Sequence, residues 1–318
     1  MTTVADLLPA PLRLGAAQHS GSLAVFPLFG GEPRLEYQSF AQGQAAGVTV
    51  QELPDGASVN DLLVANASPL PVLLFEGQEV LGAQQNRVFD ASVLVPAGTK
   101  VKVPVSCVEA GRWDGGRHGE QFAAAPQTAY PALRRAKNVA ARTAAAAGRE
   151  ARADQGGVWD DVARKSERLH AASPTGAMHD IYVHHRARLD ELCAAAPRQD
   201  HQIGAVVAIG GRCVVVDLVS RSDVWAALHA PLVRGYALDA LEHSPAAPPP
   251  AATIDSFIAE VLDAPLRERD AVGAGIQLDV ETASAAGTGL ALEGELLQLS
   301  AFAPDRPAPR IRRPSQRR

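Results

Sequence analysis

Between residues 72 and 107 apolar side chains recur at every second position. Val101, Val103, Val105 and Cys107 fall on one face of an extended chain, and Lys100, Lys102 and Ser106 on the other. Phe89, Ala91, Val93 and Val95 repeat the pattern, with Asp90 and Ser92 opposite. Pro96, Ala97, Gly98 and Thr99 then supply a turn. The spacing predicts a hairpin with a four-residue loop. Pro104, which donates no ladder hydrogen bond, is expected at an edge or a bulge. Upstream, residues 23–29, 48–53, 62–66 and 72–75 read as further strands, and residues 34–46 hold a short helix. About six short strands over residues 23–110, with turn signals between them, favour an antiparallel sandwich or barrel.

After Trp113 the texture changes. Residues 130–152 are rich in Ala and Arg and predict a helix that Gly148 ends or interrupts. Val158, Val162, Ala163 and Leu169 keep near-helical spacing. Ser173 reads as an N-cap with Pro174 at the first helical position. The helix that follows runs to about residue 196, with a stripe of Met178, Ile181, Tyr182, Leu189 and Leu192. Residues 202–219 return to strand around Gly210-Gly211, a hairpin signal because primed turns need positive φ. An amphipathic helix is expected at 231–241. The Pro- and Ala-rich residues 243–252 read as a linker. A helix at 253–262 and strands at 275–280 and 290–302 make a small add-on. The tail from residue 304 carries six Arg among several Pro and predicts disorder.

The division expected is therefore an extension at 1–22, a domain at 23–242, a linker at 243–252, an add-on at 253–303 and a tail at 304–318. The fold class is α+β. A mainly antiparallel, sandwich- or barrel-like N-terminal part is covered by a helical middle, and a β-hairpin and helix follow.

Composition narrows the partners. At 47% hydrophobic and 5% aromatic, the core must be filled by Val, Leu and Ala. A net charge of −5 and a pI near 6.0 make nucleic acid an unlikely ligand. Cys107, Cys193 and Cys213 are widely spaced and odd in number, so they give no disulfide framework and point to the cytoplasm. No secretory leader is visible at the start, and no run of 18 apolar residues implies a membrane span.

The chemistry is crowded into residues 76–113. Glu79 and Glu109 are the candidate catalytic carboxylates, able to act as general base or to hold ribose hydroxyls. Glu76, Gln84, Gln85, Asn86, Arg87, Arg112 and Trp113 are candidate ligand-binding residues. The planar guanidinium of an arginine suits a phosphate or carboxylate, and Trp113 or Trp159 offers a face to a base. The competing expectation is that the acids pair with Arg87 and Arg112, and that Trp113 fills core. Cys107, in the buried series of its strand, is expected to be inert. His179, His184 and His185 lie five and six residues apart, so they share no helix face and no metal site is expected. No phosphate-cradling glycine loop and no nucleophile elbow occur, and no cofactor is assigned. The open end of the expected hairpin would bring Arg87, Glu109 and Arg112, with Glu79 or Glu76, into one polar site.

The segments EGQEVLGAQQNR at 76–87, SVLVPAG at 92–98 and VPVSCVEAGRW at 103–113 resemble the ARG and rhodanese-phosphatase-superfamily-associated protein domain. The likeness continues through Gln155, VWDDV at 158–162, SPT at 173–175, IGAVVAIGG at 203–211 and YALDAL at 236–241, and so spans residues 23–242. Gln78 and Gln84 stand where Glu and Lys are commoner in that family, and Ala110 where Gln is commoner. These departures weaken a charge-based role at 78 and 84. The resemblance implies a place in NAD and ADP-ribose metabolism and no particular reaction. Two functions follow as expectations. One is an enzyme or sensor for an ADP-ribose-like or other phosphorylated nucleotide, its site completed by Gln155, Trp159, Ser173 and Thr175. The other is a non-catalytic interaction or scaffold domain with a protein partner still to be identified.

Overall fold

Strand pairing arranges the chain into three sheets in the computed structural model, which describes residues 2–119 and 121–304. The largest sheet among the described residues has nine strands. Its order is Arg13–Leu14, Leu23–Phe29, Gln202–Ile209, Arg212–Val219, Glu295–Phe302, Ala286–Leu292, Ile276–Glu281 and Arg267–Asp270, with Gln18–Ser20 also on Leu23–Phe29. A six-stranded sheet runs Ala123–Thr128, Gln78–Leu81, Arg87–Phe89, Lys100–Cys107, Asp61–Asn66 and Val48–Gln51. A three-stranded sheet runs Val93–Val95, Val72–Leu74 and Gln38–Ser39, its last pair parallel. Phe40, Val64, Val72, Val80, Phe89, Val95 and Val105 form one buried cluster drawn from both smaller sheets.

The helix Ser222–Ala240 links this half-barrel to the large sheet, packing on both Ala123–Thr128 and Gln202–Ile209. Gly235 allows the approach: a Cβ there would lie 2.7 Å from Thr128 Oγ1 and 3.1 Å from the Ala129 carbonyl. Trp225, Leu228, Leu232 and Tyr236 from this helix join the main core with Tyr130, Leu133, Met178 and Ile181. On the other face of the large sheet, Ile254, Phe257, Ile258 and Val261 of the helix Ala251–Leu262 pack with Phe26, Val206 and Leu299. The class is α+β, with predominantly antiparallel sheets.

Several elements differ from the sequence expectation. Val93–Val95 pairs with Val72–Leu74, not with Lys100–Cys107. All three of its residues are buried, Leu94 in one core and Val93 and Val95 in another, so a period-two reading could not identify its partner. Lys100–Cys107 pairs through its first half with Asp61–Asn66 and through its second with Arg87–Phe89. Pro104 sits where the strand changes partners, inside the sheet and not at its edge. The missing N–H falls where the neighbouring ladder ends.

Ser173 does not cap a helix. The helix begins at Met178, and Ser173 Oγ instead accepts from the Ala177 N–H at 2.8 Å and donates to Asp180 at 2.6 Å. That helix breaks at His185 into Met178–His184 and Arg186–Ala194. The helix expected from residue 231 starts at Ser222 and carries Pro231 in its interior, because its apolar stripe continues upstream through Val224, Trp225 and Leu228. The Glu295–Phe302 strand, expected in an add-on, is hydrogen-bonded to Arg212–Val219 in the large sheet. Residues 305–318, nearly all of the expected tail, lie outside the described residues.

Candidate functional site

The strand Gln78–Leu81 lies between Ala123–Thr128 and Arg87–Phe89 and carries Glu79 into the interior, where it is 1% exposed. Gln127, from the neighbouring strand, donates through Nε2 to Glu79 Oε2 at 2.6 Å and lies 2.8 Å from His179 Nδ1. The other oxygen, Glu79 Oε1, is buried with no hydrogen-bond partner. Burial pushes the Glu79 carboxyl up to about 8; the Gln127 bond opposes this, the charges of Glu109 and Asp180 add to it, and Arg117 opposes it. At pH 7 Glu79 is a neutral carboxylic acid and can donate a hydrogen bond or a proton.

Glu109 is the opposite case. It follows the Lys100–Cys107 strand, and a bridge to Ala177 fixes its backbone. Burial works against its charge, yet the side-chain bonds from Arg112 and Thr175 and the Asn86 N–H outweigh it, holding the carboxyl at about 2. The contacts are short: Arg112 Nη2 at 2.8 Å, Arg117 Nη1 at 3.0 Å, Thr175 Oγ1 at 2.7 Å and Asn86 N at 3.1 Å. Arg117 also pairs with Asp180. Two carboxyl groups with their proton affinities driven apart are what separate acid and base tasks require.

A loop at residues 111–119 covers this cluster. Gly111 donates to the Thr175 carbonyl at 2.7 Å, an approach a side chain would block, since a Cβ would stand 2.9 Å from that oxygen. Ala83 donates to the Gly119 carbonyl at 2.8 Å. The loop thereby places Arg117 and His118. The His118 ring meets His179 edge to face at 5.8 Å, and its Nε2 is buried without a partner. Burial holds both imidazoles below the usual histidine range, with Arg117 adding to this at each and Arg112 also at His118.

The candidate residues from the sequence divide. Glu79, Glu109, Asn86 and Arg112 meet around this cluster, where Arg112 also donates to the Ala83 carbonyl at 2.6 Å and to Asn86 Oδ1 at 3.2 Å. Gln85 donates to the Glu109 carbonyl at 2.8 Å. Gln84 is half-buried and contributes its carbonyl to the Asp114 N–H. Arg87 is buried beside them but faces elsewhere. It donates to Gln85 Oε1 at 3.2 Å and to the Ser58 carbonyl at 3.3 Å, and it lies 3.8 Å from Glu52. Trp113 is 50% exposed, with the Arg87 guanidinium 5.8 Å from its ring centre.

Glu76 does not join the cluster. Arg134 binds it in a buried network with Asp217, Tyr236 and Ser300. Glu76 follows the Val72–Leu74 strand and faces the large sheet, whereas Glu79 lies on the far side of a turn at Gly77, whose φ is +85°. Gln155 is spent on the chain, bonding the Cys107 N–H and carbonyl at 2.8 and 2.9 Å. Cys107 is fully buried, and burial raises its thiol.

Sequence reasoning missed Arg117, His118, Gln127, His179 and Asp180. Arg117 and His118 lay in a segment read only as a loop. Gln127 belongs to a strand, Ala123–Thr128, too short and too Ala-rich to stand out. His179 was weighed only against a metal; its position one turn beyond the SPT segment was the available signal. Among the described residues no group of three His, Cys, Asp or Glu is arranged to hold a metal ion.

A family model described as the ARG and Rhodanese-Phosphatase-superfamily-associated Protein domain matches residues 11–302. No curated protein and no solved structure matches the chain. Among the described residues no helix is long and apolar enough to cross a membrane.

Proposed function

The chain belongs to the ARG and Rhodanese-Phosphatase-superfamily-associated Protein domain family, and from that premise we propose that it binds an ADP-ribose-like or other phosphorylated nucleotide in NAD and ADP-ribose metabolism. The ligand is held at the cluster of Glu79, Gln127, His179, Arg117 and Glu109. One observation carries the reading: Glu79 Oε1 is buried and unpartnered. Leaving a buried polar oxygen unpaired costs roughly 1–3 kcal/mol, and a ligand hydroxyl or carbonyl recovers it. The surroundings of Glu79 suit ribose hydroxyls. Arg117, at the exposed rim with 30% of its side chain accessible, suits the phosphate.

The test is a thermal-shift panel of ADP-ribose, NAD, nucleotides and sugar phosphates. A ligand that binds only the native state adds about 2.7 kcal/mol at a hundredfold excess over its dissociation constant. The shift is expected with the wild-type chain and is reduced in Arg117→Ala and in Glu79→Ala. Silence across the panel sinks the ligand reading and leaves the non-catalytic interaction domain.

A further inference from the structure

We propose that the cleft between the half-barrel and the large sheet is a second binding site, for a small zwitterion with a carboxylate at one end and an ammonium group at the other. The observation that carries this is a cavity of about 290 Å³ enclosed by polar faces of the two sheets. That volume is at the small end of ligand sites. The cavity shares no residue with the Glu79 cluster, so the proposal stands or falls apart from the nucleotide reading.

Strand register sets both walls. On Lys100–Cys107, Val103 and Val105 turn into the half-barrel core, so Lys102 and Pro104 take the opposite face, where Asp61 pairs across from Pro104. In the large sheet, Arg269 pairs across from Gln277 and Asp279 from Thr288, which puts these four on one face. The helix Pro131–Ala146 forms the floor. Asn138 and Arg142 lie one turn apart on it, and Asn138 donates to Thr288 Oγ1 at 3.3 Å. Among the described residues, no ion pair made by the lining crosses from the half-barrel to the large sheet. Asp61 pairs with Lys102 and Arg152, Asp90 with Lys137, and Arg269 with Asp279 of its own sheet. The walls are nonetheless fixed. The Ala274 N–H donates to the Leu94 carbonyl at 2.9 Å, tying a hairpin loop of the large sheet to Val93–Val95. Lys102 and Glu150 line the cavity and are exposed, so it opens to solvent without movement of the chain.

The charges assign the ends of the ligand. Arg142 and Arg269 line the cavity, whereas their partner acids Glu281 and Asp279 do not. Their guanidinium groups suit a carboxylate. On the half-barrel side, both bonds made by Asp90, from Ser106 at 2.6 Å and from Lys137 at 2.7 Å, fall on Oδ1, which leaves Oδ2 for an ammonium group. Over the whole lining, four cationic side chains balance four acidic ones. A balanced site favours a ligand that carries both charges over a multiply charged anion. Sheets packed face to face stand about 10 Å apart, and Arg269 and Asp90 belong to opposite walls. The two charges of the ligand are therefore separated by several bonds, as in an ω-amino acid and not in glycine.

The test is ligand-observed NMR on the full chain with glycine, 4-aminobutanoate, 5-aminopentanoate and 6-aminohexanoate. Pentanoate and pentylamine serve as singly charged controls. The best of the three ω-amino acids is expected to bind about tenfold or more tightly than glycine and than either control, the worth of one charged hydrogen bond. Arg142→Gln is expected to shrink its advantage over pentylamine, and Asp90→Asn its advantage over pentanoate. Each ratio is taken on one variant, so partial unfolding cancels. The proposal is overturned if no ω-amino acid binds, if glycine or a control binds as tightly as the best of them, or if either variant keeps the wild-type ratio. Pentanoate bound as tightly as the ω-amino acids would make the cleft a plain anion site.

Discussion

At the scale of single residues, Glu79 is the most informative position, and its protonation has a measurable consequence for stability. Its folded pKa of about 8 lies above the ordinary value of 4.5. The folded chain therefore holds a proton that the unfolded chain has released between these pH values. That contribution is fully present below about pH 4.5 and is lost as pH rises towards 8, at up to about 1.4 kcal/mol per unit. Glu79→Gln cannot lose the proton, so its urea-unfolding stability should fall less between pH 5 and 8 than that of the parent. Equal slopes would show that Glu79 is ionised in the fold. Cys107 gives a second expectation. Fully buried, and with its thiol raised by burial, it should label with a thiol reagent far more slowly than the half-buried Cys193 and Cys213. Mass spectrometry of the native protein after brief exposure separates the three; prompt labelling of Cys107 would revive it as a nucleophile.

Elements decide which residues meet, and here the sequence was readable where a local rule governs and silent where a distant partner does. Gly210 and Gly211 both take positive φ in the turn between Gln202–Ile209 and Arg212–Val219, as a two-glycine turn demands. The convergence of Glu109 with Asn86 and Arg112 follows from Arg87 pairing opposite Cys107. Glu76 could not be assigned the same way. Its partner Arg134 lies 58 residues on, in the helix Pro131–Ala146, and no local pattern announces the pair. The helix Ser222–Ala240 acts on the site through Gly235, which lies against Thr128, the neighbour of Gln127. Gly235→Ala must push that strand away. Overpacking of this kind costs about 1–3 kcal/mol, and because Gln127 moves with the strand, ligand-induced thermal shift should shrink as well. A variant with parental stability and full ligand response would show that the contact yields freely.

Across the whole molecule, the buried Arg134 ties the half-barrel to the large sheet. It bonds Glu76 beside one and Asp217 and Ser300 within the other, while Tyr236 of the bridging helix donates to Asp217 at 2.6 Å. Arg134→Met leaves Glu76 and Asp217 buried without their counter-ion, Asp217 keeping only the Tyr236 and Ser300 hydroxyls, and is expected to cost about 3–5 kcal/mol, read by chemical denaturation at pH 7; a loss below about 1 kcal/mol would mean the two sheets hold together without it. With that scaffold in place, Glu79 reaches its setting from the half-barrel, His179 from the helical middle and His118 from the covering loop. The most direct measurement is a carbon-13 NMR titration of the glutamate carboxyl groups, with and without ADP-ribose. One carboxyl should titrate near 8, vanish from the Glu79→Gln spectrum and shift when ADP-ribose is added. A Glu79 signal that titrates near 4.5, or one that titrates near 8 and ignores ADP-ribose, NAD and sugar phosphates alike, would contradict the assignment of this cluster as a ligand site built on a neutral carboxylic acid.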